Sequence, residues 1–211
     1  MELGKVQQAA VACFAQRGFA ATGIRELGSA VGLNSATLYH YVGGKEDLLL
    51  GIMNDCLTAM ISGAKQALDG STDPVRQLAL LVAFHVGFTA TNPSTARVTE
   101  YEMRALSGES REQMQALRDE YERLFAVTLK AGERQGSFST ADLGIARLAL
   151  MEMGTGVSHW YRPDGRLSLA EVQLNFISLA MRILAVPVEF PLPPQQLPVP
   201  QVIASEPTSK D

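Results

Sequence analysis

Apolar residues recur at three- and four-residue spacing along most of the chain, and turn residues punctuate them. Val6, Ala9, Ala10, Cys13 and Phe14 set the period of a first helix, which Gly18 stops after Arg17. Asp73-Pro74 is an N-cap followed by proline at the first helical position, predicting a helix to about Thr91. Asn92-Pro93 repeats that signal for a shorter helix ending near Gly108. Ser110 with Gln113 has the spacing of a capping box in front of a long amphipathic helix that Gly136 closes. Thr140 opens a further helix to about Arg162, and Pro163-Asp164-Gly165 is a turn. Ser168 with Glu171 is a second capping box, starting a helix that Pro187 ends. No strand-like alternation bounded by turns and no repeat of 20–50 residues is present. The pattern predicts an all-α chain of about nine helices.

Between Thr22 and Lys45 the helices are short and closely spaced. Thr22 can cap a helix over Ile24–Val31, Gly32 allows a tight turn, and Asn34 caps a second helix from Ser35 to about Val42. Gly43-Gly44 breaks it, and Lys45 opens a long apolar helix. Two short helices joined by a glycine turn, after an amphipathic helix, outline a helix-turn-helix. Ile24, Leu27, Val31, Leu33 and Leu38 suit its small core, and Ala30 and Ala36 suit a close helix crossing. The second helix then keeps Ser35, Thr37, Tyr39, His40 and Tyr41, a polar and aromatic face without an acid. Hydroxyls, imidazole and tyrosine rings can meet phosphates, sugars and base edges, and Thr22 and Asn34 count with them among the candidate DNA contacts. Lys45, beside the unpaired N–H groups of its helix, can grip a phosphate, and Arg25 can reach the flanking backbone. Tyr39 facing the core, His40 or Tyr41 facing inward, and a purely capping Thr22 are the alternative readings of these residues.

The run AAVACFAQRGFAATGIRELGSAVGLNSATLYHYVGGKEDLL resembles the DNA-binding domain of TetR-type transcriptional regulators. The resemblance rests on Ala9-Ala10, Phe14, Gly18, Thr22, Leu27, Gly32-Leu33, Leu38-Tyr39 and Lys45-Glu46-Asp47-Leu48, over about 45 residues. Gly28 replaces the family's usual alanine, costing up to about 1 kcal/mol of helix propensity. Val42 stands where phenylalanine is common, and Tyr41 where histidine is common. The basic arm that can precede the first helix is almost lacking. The resemblance implies a DNA-binding domain over residues 1–47 and a ligand-binding, dimerising domain over 48–185, without enzymatic activity. It implies a homodimeric repressor reading a palindromic double-stranded operator, released by a small-molecule effector.

The larger part shows how dimerisation could be built. The helix from Thr140 carries Leu143, Ile145, Ala146, Leu148, Leu150, Met151, Met153, Val157 and Trp160, apolar on every side. The last helix, with Leu169, Val172, Phe176, Ile177, Leu179, Ala180, Ile183 and Leu184, is nearly as apolar. A helix apolar all round must be covered all round. Two such helices either form a four-helix bundle with their copies across a two-fold axis, as the family does, or thicken a monomer core. Candidate effector contacts are Phe84, His85, Phe88, Tyr101, Met103, Tyr121, Phe125, Met151, Met153 and Trp160, with Arg104 or Arg118 as anchors for an anionic group. The plainer reading of the apolar ones is core, of His85 and His159 structural histidines, and of the arginines surface or salt-bridge residues. His159–Ser168, HWYRPDGRLS, resembles a subgroup of these regulators linked to lipid and acyl-CoA metabolism, favouring an acyl-CoA or another hydrophobic ligand.

Composition narrows the alternatives. With 46% hydrophobic and 19% charged residues, the 211-residue chain can bury a sizeable core. A net charge of −4 excludes a generally basic nucleic-acid or membrane coat, leaving only local contacts. Residues 1–45 hold four Lys/Arg against two Glu. No Glu-x-x-His pair, Cys-x-x-Cys, His-Glu-x-x-His, glycine-rich phosphate loop or Gly-x-Ser-x-Gly elbow is present, and no cofactor is implied. Cys13 and Cys56 lie in separate apolar stretches, which fits a reducing compartment. No apolar run is long enough to span a membrane, so a cytoplasmic location is expected. Seven of ten prolines lie between Pro187 and Pro207, so residues 186–211 read as an extended or disordered tail. The competing reading is a strap held by Phe190, Leu192, Leu197 and Val199. The rival function is a helical small-molecule carrier without DNA activity.

Overall fold

In a computed structural model of the protein, residues 3–68, 70–186 and 192–208 are described. Among them are nine α-helices and no strand: α1 Leu3–Arg17, α2 Ile24–Ala30, α3 Ser35–Val42, α4 Lys45–Leu68, α5 Pro74–Thr91, α6 Pro93–Tyr101, α7 Gly108–Arg134, α8 Leu143–Trp160 and α9 Leu169–Ile183. Single 3-10 turns follow α6 and interrupt the tail. No helix among the described residues is long and apolar enough to cross a membrane.

Several predicted caps form. Asp73 accepts from the amides of Val75 and Arg76, and Ser168 and Glu171 complete their capping box. Others differ for local reasons. The residue before α2 is Gly23, not Thr22, and it makes no side-chain cap. Helix α7 starts at Gly108, so Ser110 lies inside its first turn. Helix α8 is capped by Asp142, whose carboxylate accepts from the Ile145 amide, so Thr140 stays outside it.

The chain divides into two compact units. The first comprises Met1–Ala59, Asn92–Arg118 and Val202–Asp211. The second comprises Met60–Thr91 and Asp119–Gln201. The partition cuts across the division at residue 47, because α1 packs on α6 as well as on α2. In addition, Gln7 on α1 donates to Asp55 well inside α4. In the second unit α5 is the central helix. It packs against both α8 and α9, and almost every residue from Leu78 to Ala90 is buried. Helix α8 turns Ala146, Leu150, Gly154 and Val157 inward.

Residues 192–201 of the tail belong to the second unit. Leu192 and Leu197 are buried in the second unit, and the Gln173 amide donates to the carbonyls of Ala83 and Pro198. Pro200 lies so close to Gly87 that a β-carbon there would sit 2.9 Å from its ring. Val199 instead faces solvent, and Phe190 and Pro187 fall outside the described residues.

Candidate nucleic-acid interface and effector site

The three-helix reader is assembled on Val6, Ala10, Val11, Phe14, Leu27 and Leu38, all buried. Asn34 starts α3 by accepting the Thr37 amide at 2.8 Å, so its side chain is a cap. The turn between α2 and α3 places Gly32 at φ +72°, and the Leu33 amide donates to the Gly28 carbonyl at 2.8 Å. A β-carbon on Gly28 would lie 2.6 Å from the Leu33 carbonyl oxygen. Close approach is therefore supplied by Gly28, whereas Ala30 and Ala36 are exposed. The departure from alanine makes room for this tight turn.

Leu38 anchors α3, which leaves Tyr39 50% and Tyr41 53% exposed. His40 is exposed between them, and its ring meets Tyr41 edge-on at 6.1 Å. The core and inward readings of these three residues are thereby excluded. Ser35 and Thr37 are half-buried, and Arg25 is exposed.

Thr22 and Lys45 do other work. Thr22 is 1% exposed, and its hydroxyl donates to the Gly18 carbonyl rather than capping α2. The Lys45 ammonium donates to the carbonyls of Phe19 and Thr22 at 2.7 and 2.9 Å, 4.1 Å from the centre of the Phe19 ring. Lys45 is thus a clamp between α4 and the loop before α2. The Phe19 amide donates to the buried Glu102 carboxylate at 3.1 Å. Phe19 and Glu102 carried no signal in the sequence, because their pairing spans 83 residues.

The proposed effector residues separate into different neighbourhoods. Phe84, His85, Phe88, Tyr121 and Phe125 are all buried in the second unit; Phe84 and Phe88 pair with ring centres 5.9 Å apart, and His85, Tyr121 and Phe125 form a triad at 5.7–6.0 Å. His85 is doubly engaged. Its Nδ1 lies 3.0 Å from the Tyr121 hydroxyl, and its Nε2 lies 3.0 Å from the Met151 carbonyl and 3.2 Å from the Thr155 hydroxyl. A carbonyl only accepts, so in a neutral ring Nε2 carries the proton and Nδ1 accepts from Tyr121. Gly154 makes room for this ring, since a β-carbon there would lie 2.2 Å from His85 Cδ2. Met151 and Met153 are half-buried. Trp160 is 52% exposed and stacks on Phe176 at 6.3 Å, outside the cluster.

Tyr101, Met103 and Arg104 belong to the first unit, whereas the aromatic residues above belong to the second. Tyr101 and Arg104 edge a groove of about 200 Å³ with Phe14, Gly18, Arg97 and Glu102. Met103 is buried. Arg118 pairs with Glu100 at 3.0 Å, as the salt-bridge reading expects. Among the described residues, no group of three His, Cys, Asp or Glu is placed to hold a metal ion.

Comparison with known proteins agrees with this architecture. The family described as "Bacterial regulatory proteins, tetR family" matches residues 7–52, and "Tetracyclin repressor-like, C-terminal domain" matches residues 71–184. The HTH-type transcriptional repressor KstR2 of Rhodococcus jostii is 27% identical over 180 residues, covering 84% of this chain and 88% of that protein. The TetR family transcriptional regulator PfmR from Thermus thermophilus superposes with a TM-score of 0.76 at 30% identity, over 84% of this chain and 97% of that one. AibR, crystallised with isovaleryl coenzyme A and operator DNA, shares the fold with a TM-score of 0.75 at 21% identity, over 84% of this chain and 97% of that one. With both halves matched, the chain belongs to the tetR family of bacterial regulatory proteins.

Proposed function

We propose that the protein is a homodimeric repressor that reads a palindromic operator with α3 and leaves it when an acyl-CoA or another hydrophobic effector binds the second unit. The observation that carries this reading is the exposed Tyr39-His40-Tyr41 face on a helix whose start is fixed by Asn34. Tyrosine hydroxyls and imidazole bond phosphates and base edges, while the rings pack on sugars and thymine methyls. Arg25, Ser35 and Thr37 flank that face and extend the contact. Such a reader acts where the chromosome is, which places it in the cytoplasm.

Dimerisation supplies the second recognition helix. Ile145 on α8 is 66% exposed, and Leu148 and Leu179 also face outward. Their partner is a second copy of the same helices, related by a two-fold axis. KstR2, named a repressor, supports the sign of the response. The ligand seen in AibR and the His159–Ser168 segment favour an acyl thioester. The Tyr121 hydroxyl and His85 form a buried polar pair against the Phe125 ring. A thioester carbonyl exchanging for one of their hydrogen bonds would couple chemistry to packing.

The test is a mobility-shift titration on the DNA upstream of the protein's own gene, with short- and long-chain acyl-CoAs added to the preformed complex. The expected result is a sequence-specific shift that one chain-length class of acyl-CoA reverses. Effector binding with no DNA shift would instead identify a carrier.

A further inference from the structure

We propose that the end of the chain is a carboxylate latch that caps α6, ties it to α1 and thereby sets operator affinity. The sequence marks Asn92 as the N-cap of α6, yet the Asn92 side chain makes no cap bond there. Its Oδ1 accepts instead from the Ile203 amide at 2.8 Å. The amides of Ser94 and Thr95, at the open end of α6, donate to the two carboxylate oxygens of Glu206 at 3.0 and 2.8 Å. One carboxylate thus satisfies two orphan donors at the positive end of the helix dipole. Glu206 is buried, and its own amide closes a turn onto the Ile203 carbonyl at 3.0 Å, which presents the carboxylate to α6. The same turn holds α1, because the Ala204 carbonyl accepts from Gln8 Nε2 at 3.0 Å.

Residues 203–206 therefore bridge α1 and α6 within the first unit through these hydrogen bonds. Val202 and Ala204 remain exposed. The buried hydroxyls of Thr95 and Ser205 have no hydrogen-bond partner when the turn is docked. Two buried hydroxyls without protein partners cost docking energy, so the contact can open without unfolding the unit. At its other end α6 leads into Glu102, which accepts from the Phe19 amide in the loop that Lys45 clamps. The position of α6 is consequently felt midway along α1, through Gln8, and in the loop after it, through Phe19, and the latch fixes it.

The operator half of this inference rests on the proposed function, whereas the capping half does not. The test uses the full chain, the Glu206→Gln variant and a chain ending at Gln201. Amide hydrogen exchange at Ser94 and Thr95 reads the cap, and an operator titration reads its consequence. Both changes should speed exchange at these two amides about tenfold and weaken operator binding about tenfold, with dimerisation unchanged. A synthetic peptide of residues 202–208 should restore slow exchange to the shortened chain. Unchanged exchange in the shortened chain would overturn the latch. Lost protection with operator affinity unchanged would overturn its role in DNA binding. A wild-type chain that binds no operator would remove the proposed function and that role together, while the exchange arm would still decide the cap.

Discussion

At the first turn of α4 the Lys45 ammonium is held by two carbonyls and an aromatic face, in a half-buried position. Hydrogen bonds to a charged group contribute about 1.5–3 kcal/mol each. Lys45→Met should therefore lower the melting temperature and the DNA affinity together, measured by thermal melts and titration on one preparation. Tyr39→Ala and Tyr41→Ala should behave differently. Both side chains are half exposed, so the melt should stay within about a degree or two while DNA binding falls by tenfold or more. Equal losses in stability and binding would return these tyrosines to the core. Cys56 offers a pH test. Burial pushes its thiol from 9.0 up to about 12, with the Thr99 hydroxyl pulling the other way. Between these values the unfolded chain sheds a proton that the folded chain keeps. Stability then falls as pH rises through that window. Denaturant melts should show a shallower alkaline loss in Cys56→Ala than in the wild type.

Element by element, helices were readable from sequence wherever the deciding chemistry was local. The Asn34, Asp73 and Ser168 caps act within three residues and appear where spacing puts them. What spacing could not carry is who wins when a side chain has two offers. Thr22 gives its hydroxyl to Gly18, four residues back, rather than capping α2. Asn92 serves a stretch of tail 111 residues away, and Glu206 takes over its cap. Similarly, Tyr101 and Arg104 share the composition of effector residues, but chain folding puts them at a groove beside α1 in the first unit. Helices α8 and α9 illustrate the opposite case, since an all-round apolar pattern correctly announces that burial by α5 leaves a second apolar face over. Placing a charge on that face tests the dimer. Ile145→Glu or Leu148→Glu should give a monomer by sedimentation with unchanged helical circular dichroism. A dimer surviving both changes would move the interface elsewhere.

For the whole molecule, function depends on coupling two different kinds of recognition. The −4 net charge leaves little general attraction to DNA, and the first 45 residues hold only four Lys/Arg. Affinity must then come from few phosphate contacts, duplicated by two-fold symmetry. Each phosphate neutralised contributes a salt slope of about −0.9, so the total slope should be modest for a repressor dimer. A loss of two-fold symmetry should cost more than any single side chain. The most direct measurement of the central claim is a nuclease footprint of the purified protein on the DNA upstream of its own gene. A homodimeric reader protects two half-sites related by a two-fold axis, with centres about one helical turn or a multiple apart. Uniform protection, or none at concentrations that saturate unrelated DNA, would contradict it.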